Sequence, residues 1–267
     1  MRLRSFAILP SLFFLFWLPL ARGDEAAGRL VLATYKLANE SSTATGTVYR
    51  REAEEGKSEC FLVTAGHVFE GMKGDTCTLV SRTLRDDGLY MRQEIQVPVR
   101  QNGEPLWKKH ANHDLAVLLL PESASVECLP FDSLATEDLM KEVGVGDAVR
   151  LSVFPERSEA NPAGLPILRG GVLASHPLVP VKPHPAFLVD TTTWTGDSGG
   201  AVMHESLRSP SGGPLVLGIV RGMRSVIDTA KESRFVERKT QYPLGISEVL
   251  QAVLVRELIG ESWPRQI

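Results

Sequence analysis

The chain has 267 residues, 43% of them apolar and 23% charged, and a formal net charge of −3 at pH 7. That composition excludes a disordered or fibrous chain and suffices for one large or two small hydrophobic cores. A mildly acidic surface gives no electrostatic reason to expect a nucleic-acid partner, and 23 glycines and 17 prolines against 7% aromatic residues favour short strands and turns over long helices.

Residues 1–23 read as a leader rather than as part of the fold. Arg2 and Arg4 precede an apolar run from Phe6 to Leu20, and Ala21-Arg22-Gly23 puts small residues where a signal peptidase cuts. The run is shorter than a membrane span, and Pro10 and Pro19 interrupt it. A cleaved signal peptide is expected, hence a secreted or periplasmic protein with no stable membrane insertion after cleavage. An uncleaved anchor is the alternative. Removing Arg2, Arg4 and Arg22 makes the chain more acidic still.

From Asp24 onward, apolar runs of strand length follow one another: "RLVLATYKL", "TGTVYR", "CFLVTAGHVF", "TCTLVS", "LYMRQEIQVPV" and "DLAVLLL". Several alternate with period two, and most are separated by Gly, Asp, Asn or Lys clusters. Between Pro121 and Val145 the pattern softens into a connector, with one helical turn expected around Thr136 to Val143. Strands resume with "AVRLSVF", "GLPILRGGVLAS", "AFLVDTTTW", "GGAVMH" and "PLVLGIVRG". In "ISEVLQAVLVRELIG", Ile246, Leu250, Leu254 and Leu258 recur every four residues. A closing amphipathic helix is expected there, capped by Ser247 and ended by Gly260. The chain therefore reads as all-β in two similar halves, residues 24–135 and 136–267, without the strand–helix alternation of a doubly wound sheet.

Cys60, Cys77 and Cys128 are the only cysteines. Export permits disulfides, but an odd count leaves one thiol over. Cys60 and Cys77 are the expected couple, because they would enclose the segment that holds His67. No CxxC spacing is present, and neither a metal nor an organic cofactor is expected.

The chemistry centres on "TWTGDSGGAVM", Thr193 to Met203. A serine between an aspartate and two glycines is a turn, and becomes a nucleophile only if a base and an orienting acid exist elsewhere. His67 lies at the end of an apolar strand in "LVTAGHVFEG", and Asp114 opens another in "NHDLAVLLL". Ser198 would supply the attacking oxygen, His67 would take its proton, and Asp114 would hold the imidazole in the right tautomer. Gly196 and Ser198 would aim backbone N–H groups at the oxyanion. The order His67, Asp114, Ser198 differs from that of subtilisin-like chains and of α/β-hydrolases. The same segment satisfies G-x-S-x-G, the esterase elbow, but no helical period follows it and His204 comes too soon after Ser198 to serve as base.

"TAGHVF", "HDLAVL" and "GDSGG" resemble the three signature segments of chymotrypsin-fold serine peptidases, in that family's order and over nearly all of residues 24–267. The resemblance implies two six-stranded antiparallel β-barrels with a C-terminal helix, His67 and Asp114 on the first barrel, Ser198 on the second, and peptide substrate in the cleft between. It departs from the family in lacking an Ile-Val-Gly-Gly start, so Asp197 would have no freed amine as partner. The family's disulfides beside the histidine, the serine and the pocket are missing too. These departures resemble the bacterial-type trypsin-like branches. By the same resemblance Thr192 would form the pocket floor, and Arg221-Gly222-Met223 would replace the wall that holds extended peptide. A small or apolar side chain at the cut is then expected, or an acidic one if Arg221 faces the pocket.

The remaining polar residues have plainer readings. His113 and the Lys108-Lys109-His110 cluster are expected to be solvated, His204 structural, and "HPLVPVKPHP" a loop rimming the cleft. The expected function is that of a serine endopeptidase acting on a protein or peptide, with a catalytically silent binding protein as the alternative and an esterase as a lesser one.

Overall fold

Period-two alternation sets most of the chain into strands, and the ends of those strands position the site. The computed structural model describes residues 24–40, 42–53, 57–231 and 237–264. The leader expected over residues 1–23 lies outside them.

The first element corrects the reading of "RLVLATYKL" as one strand. Residues Glu25–Leu32 form helix α1, with the Asp24 carboxylate accepting from Ala26 N–H at 3.0 Å. Ala26, Ala27 and Leu30 fall on one helical face and are buried. The cap and that face outweigh the β-like run of apolar residues.

Strands β1 (Thr34–Ala38), β2 (Thr43–Glu52) and β3 (Ser58–Thr64) form a meander, and β3 leads into the short helix α2 (Gly66–Gly71). A long hairpin follows, β4 (Thr76–Leu84) with β5 (Tyr90–Pro98). Short pieces β6 (Arg100–Gln101), β7 (Glu104–Pro105) and β8 (Lys108–Lys109) lead to β9 (Ala116–Leu119) and β10 (Leu129–Pro130). The sheet runs β5-β4-β1-β2-β3-β9-β8, and β10 pairs with β2. Its interior is filled by Tyr35, Leu37, Val48, Leu62, Phe69 and Leu79.

Cys77 is buried there on β4 with the others. Two strands, β1 and β2, separate it in sheet order from Cys60 on β3. Cys60 instead holds its sulfur 3.0 Å from that of Cys128. The expected Cys60–Cys77 couple is therefore corrected.

The connector carries the expected helical turn as α3 (Glu137–Met140), capped by Thr136 Oγ1, which accepts from Leu139 N–H at 3.3 Å. Strands β11 (Ala148–Val153), β12 (Ile167–Leu173), β13 (Ala186–Asp190), β14 (Ala201–Arg208), β15 (Pro214–Lys231) and β16 (Glu237–Gln251) close a six-stranded barrel in the order β11-β12-β13-β16-β15-β14. β15 and β16 continue past the barrel as a two-stranded ribbon paired from Ser225↔Pro243 to Lys231↔Glu237, with Val226, Ile227 and Tyr242 exposed on it.

The closing helix, α4 (Ala252–Ser262), starts later than expected and runs through Gly260. Ser247 is a buried strand residue whose hydroxyl donates to Thr191 C=O at 2.7 Å. Barrel pairing of β16 with β13 and β15 overrides the four-residue periodicity there. "HPLVPVKPHP" is anchored in the core rather than along the cleft: Leu178 and Val181 are buried, and Gln251 Nε2 donates to the carbonyls of Leu178 and His184.

Each end of the chain packs on the opposite half. Helix α1 shares one core with Leu151 and Leu217 of the second barrel. Trp263, just past α4, lies with its ring 5.3 Å from that of Phe61 on β3, and its carbonyl accepts from Arg51 at 2.8 Å. The two halves are therefore tied by α1 and by the segment just past α4, through apolar packing and the Arg51 bond.

Candidate active site

Antiparallel pairing of β3 with β9 places Thr64 opposite Ala116. The residues just beyond β3 and just before β9 therefore emerge at the same end of the sheet. His67 and Asp114 occupy those positions. Asp114 Oδ1 accepts from the His67 backbone N–H at 2.7 Å, and Oδ2 lies 2.7 Å from His67 Nδ1. Two bonds to one residue fix both the backbone and the ring, with the proton on Nδ1 and Nε2 left to act as a base. Burial pushes the Asp114 carboxyl up. The side-chain and backbone bonds from His67, with the Arg221 charge, outweigh it and hold the group below its ordinary value.

The opposite wall is the turn from Thr193 to Gly200, between β13 and β14. Gly196 and Gly199 have φ of 99° and 89°, a region closed to most side chains. A Cβ on Gly196 would lie 2.4 Å from Phe154 O, and one on Gly199 would lie 2.1 Å from Thr45 O. The turn is thus pressed against the first half of the molecule, and Thr45 on β2 is the point of contact. Its N–H donates to Ser198 C=O at 3.0 Å. Its hydroxyl donates to Gly196 C=O at 2.7 Å and accepts from Phe154 N–H at 3.1 Å. Thr64 in turn donates to Thr45 C=O at 2.8 Å. Among the described residues the N–H groups of Gly196 and Ser198 have no protein acceptor, and both residues line the cleft.

Asp197 points away from the cleft and is fully buried. Its Oδ2 accepts from Trp194 N–H at 2.9 Å and from Arg169 Nη1 on β12 at 3.1 Å. The cation absent from the sequence motif is therefore supplied by Arg169. Burial raises the Asp197 carboxyl to about 6, against the opposing pull of the Trp194 N–H and Arg169.

His67 and Ser198 face one cleft of 430 Å³, also lined by Trp194, Arg221, Gly222 and Met223. Ser198 Oγ–H donates to Arg221 C=O at 3.3 Å rather than to His67. Arg221, Met223 and Thr193 line the cleft, Thr192 does not, and Thr193 donates to Gly222 C=O at 3.3 Å. The Arg221 guanidinium turns to Glu248, Nη1 to Oε2 at 3.4 Å.

The plainer readings are resolved as well. His204 is buried and structural: Nδ1 accepts from Ser206 and Leu207 N–H, and Nε2 is 3.3 Å from Asp147. His113 is partly buried rather than fully solvated, its ring 4.7 Å from that of His110, because this stretch precedes β9 and is not a strand. The elbow of an esterase is absent, since Ser198 leads into strand β14. Among the described residues no group of three His, Cys, Asp or Glu side chains is placed to hold a metal ion. Sequence reasoning missed Thr45, Thr64 and Arg169. None carries a local signal, because each acts on a turn distant in sequence.

No protein-family model matches the chain, and no curated protein does. Solved structures do. The Rv3671c protein of M. tuberculosis, a protease recorded in an inactive mutant form, aligns at 16% identity and a TM-score of 0.52, covering 93% of this chain and 98% of that one. Human heparin binding protein aligns at 14% identity and a TM-score of 0.53, covering 87% of this chain and 92% of that one. One of these neighbours is named a protease and the other a heparin binding protein, so likeness at this level speaks for architecture and not for activity. On that architecture, mostly strand with a closed six-stranded barrel and a C-terminal helix, the chain has the chymotrypsin fold.

Proposed function

We propose that the protein is an exported serine endopeptidase that hydrolyses peptide bonds through His67, Asp114 and Ser198. The observation that carries this reading is the His67–Asp114 pair, bonded at 2.7 Å, opening onto the same cleft as Ser198. The reading requires the Ser198 hydroxyl to exchange its bond to Arg221 C=O for one to His67 Nε2, a tightening that substrate commonly completes. Ser198 Oγ then attacks the acyl carbon as its proton passes to Nε2, and Asp114 stabilises the imidazolium. The N–H groups of Gly196 and Ser198 receive the developing oxyanion, each contributing about 3–4 kcal/mol to the transition state. His67 returns its proton to the leaving amine. It then draws one from water, which releases the acyl group from Ser198.

Substrate enters as an extended strand. β14 and the Gly199–Gly200 segment before it pair with β15 as far as Val220, so the edge of β15 from Arg221 onward is open to an added strand. Because Arg221 is engaged by Glu248, and Trp194, Val220 and Met223 line the same cleft, a small or apolar side chain at the cut suits the site better than an acidic one.

A fluorophosphonate reports directly on this arrangement. Wild-type protein is expected to label at Ser198, Ser198→Ala not at all, and His67→Ala far more slowly. The bond from Ser198 to Arg221 C=O favours one second reading, a binding protein on the same scaffold. A folded wild type that stays unlabelled would select that reading. Export is tested by the N-terminus of the secreted protein, expected at Asp24.

A further inference from the structure

We propose that Cys60 and Cys128 form a disulfide that staples the strand leading to His67 onto the segment that follows the Asp114 strand, leaving Cys77 as a permanently reduced thiol. The two sulfurs lie 3.0 Å apart, about 1 Å beyond a covalent S–S bond. The backbone holds them there. Cys60 sits on β3 opposite Arg50 of β2, and Leu129, next to Cys128, sits opposite Tyr49 of the same strand. Leu120 N–H also donates to Cys60 C=O at 2.8 Å, tying the end of β9 to the same point. Neither cysteine must move far to bond, because Cys60 is fixed by sheet pairing and Cys128 adjoins the paired Leu129.

The chemistry favours closure. Cys60 is partly exposed, in a depression that also contains Arg50 and Lys57. The neighbouring Cys128 thiol, with Arg50, lowers the Cys60 thiol to about 7 against burial. Cys77, by contrast, is buried and pushed up to about 12 by that burial, which makes it inert. Closure needs a disulfide as oxidant. The Cys60 thiolate attacks one sulfur of R–S–S–R, forming a mixed disulfide and releasing one thiolate. The Cys128 sulfur, on losing its proton, then attacks the Cys60 sulfur and releases the second thiolate. Two cysteine thiols are oxidised and one small disulfide is reduced to two thiols. The bridge spans 68 positions in sequence and encloses both His67 and Asp114. It therefore constrains the unfolded chain where the proposed acid–base pair is built.

The test is equilibration of the purified protein in glutathione buffers, followed by alkylation and peptide mass mapping. In the oxidised buffer a Cys60–Cys128 cross-link is expected, with Cys77 alkylated only after unfolding. The oxidised form should melt roughly 5–15 °C above the reduced form. Cys77→Ser should keep that shift, and Cys60→Ser and Cys128→Ser should each abolish it. The double variant Cys60→Ala/Cys128→Ala should melt independently of the buffer, near the reduced wild type. A cross-link that includes Cys77, a stable glutathione adduct on Cys60 without closure, or identical melting of oxidised and reduced wild type would overturn the proposal.

Discussion

The two walls of the cleft are built on different principles. On the His67 wall, both polar partners come from the ends of adjacent strands, β3 and β9, and each satisfies the other through two bonds. On the Ser198 wall the turn's own bonds, from Trp194 N–H to the Asp197 carboxylate and from Gly200 N–H to Asp197 C=O, are completed by props from outside it. The turn is propped by Thr45, 151 positions from Gly196, and by Arg169, 28 positions before Asp197. The first wall should hold its geometry wherever its own sheet folds. The second draws its Arg169 prop from its own half but its Thr45 prop only once the two halves have docked. In the peptidase reading, catalytic competence is then a property of the junction between the halves rather than of either one.

In the peptidase reading, that contrast is broken most sharply at His67 and Ser198. Ser198→Ala and His67→Ala should each lower kcat/KM on a peptide substrate by about 10⁴-fold or more while leaving the melting temperature unchanged. Arg169→Met should act differently. It leaves the buried Asp197 carboxylate without its cation, at a cost on the order of 3–5 kcal/mol, so activity and melting temperature should fall together. Wild-type melting in Arg169→Met would show that the Ser198 wall does not depend on its remote prop.

The Asp197 carboxyl gives the next largest effect. Its folded-state value, about 6, lies above the ordinary carboxylate range. As pH rises the unfolded chain releases this proton first. The contribution to stability is therefore complete below about pH 4 and lost once pH passes about 6. Two units correspond to roughly 3 kcal/mol. Denaturant unfolding between pH 4 and 7 should show that decline in the wild type and a flatter profile in Asp197→Asn. Equal slopes would mean that Asp197 is ionised throughout, held by Arg169.

How much was legible in the sequence follows the same division. His67, Asp114 and Ser198 were readable because each lies in a short segment whose composition reports its own local turn. Gly196 and Gly199 were readable because positive φ selects glycine. The all-β architecture followed from period-two runs between turn residues. What escaped was contact between segments far apart. Leu30, Val31 and Leu32 look like a strand until the Asp24 cap and the face that Leu30 shares with Ala26 and Ala27 are seen. Leu250 fits a four-residue period as well as it fits β16, and only pairing with β13 and β15 decides. Cys128 as the neighbour of Cys60, and Arg169 as the neighbour of Asp197, are set by sheet order, which no single stretch encodes.

Thr45 offers the finest test, because one hydroxyl joins the halves without touching substrate. It donates to Gly196 C=O and accepts from Phe154 N–H, and it is fully buried. Thr45→Val keeps the shape and the β-branching and removes only those bonds. A buried carbonyl and a buried N–H are then left unsatisfied, at about 1–3 kcal/mol. If the turn is held mainly by this hydroxyl, the loss should appear in kcat, through a misplaced Gly196 N–H, with KM little changed. If the backbone bond from Thr45 N–H to Ser198 C=O and the close seat of Gly199 suffice, melting will drop while kcat holds. The ratio of the two losses measures how far the Ser198 wall borrows its rigidity from β2.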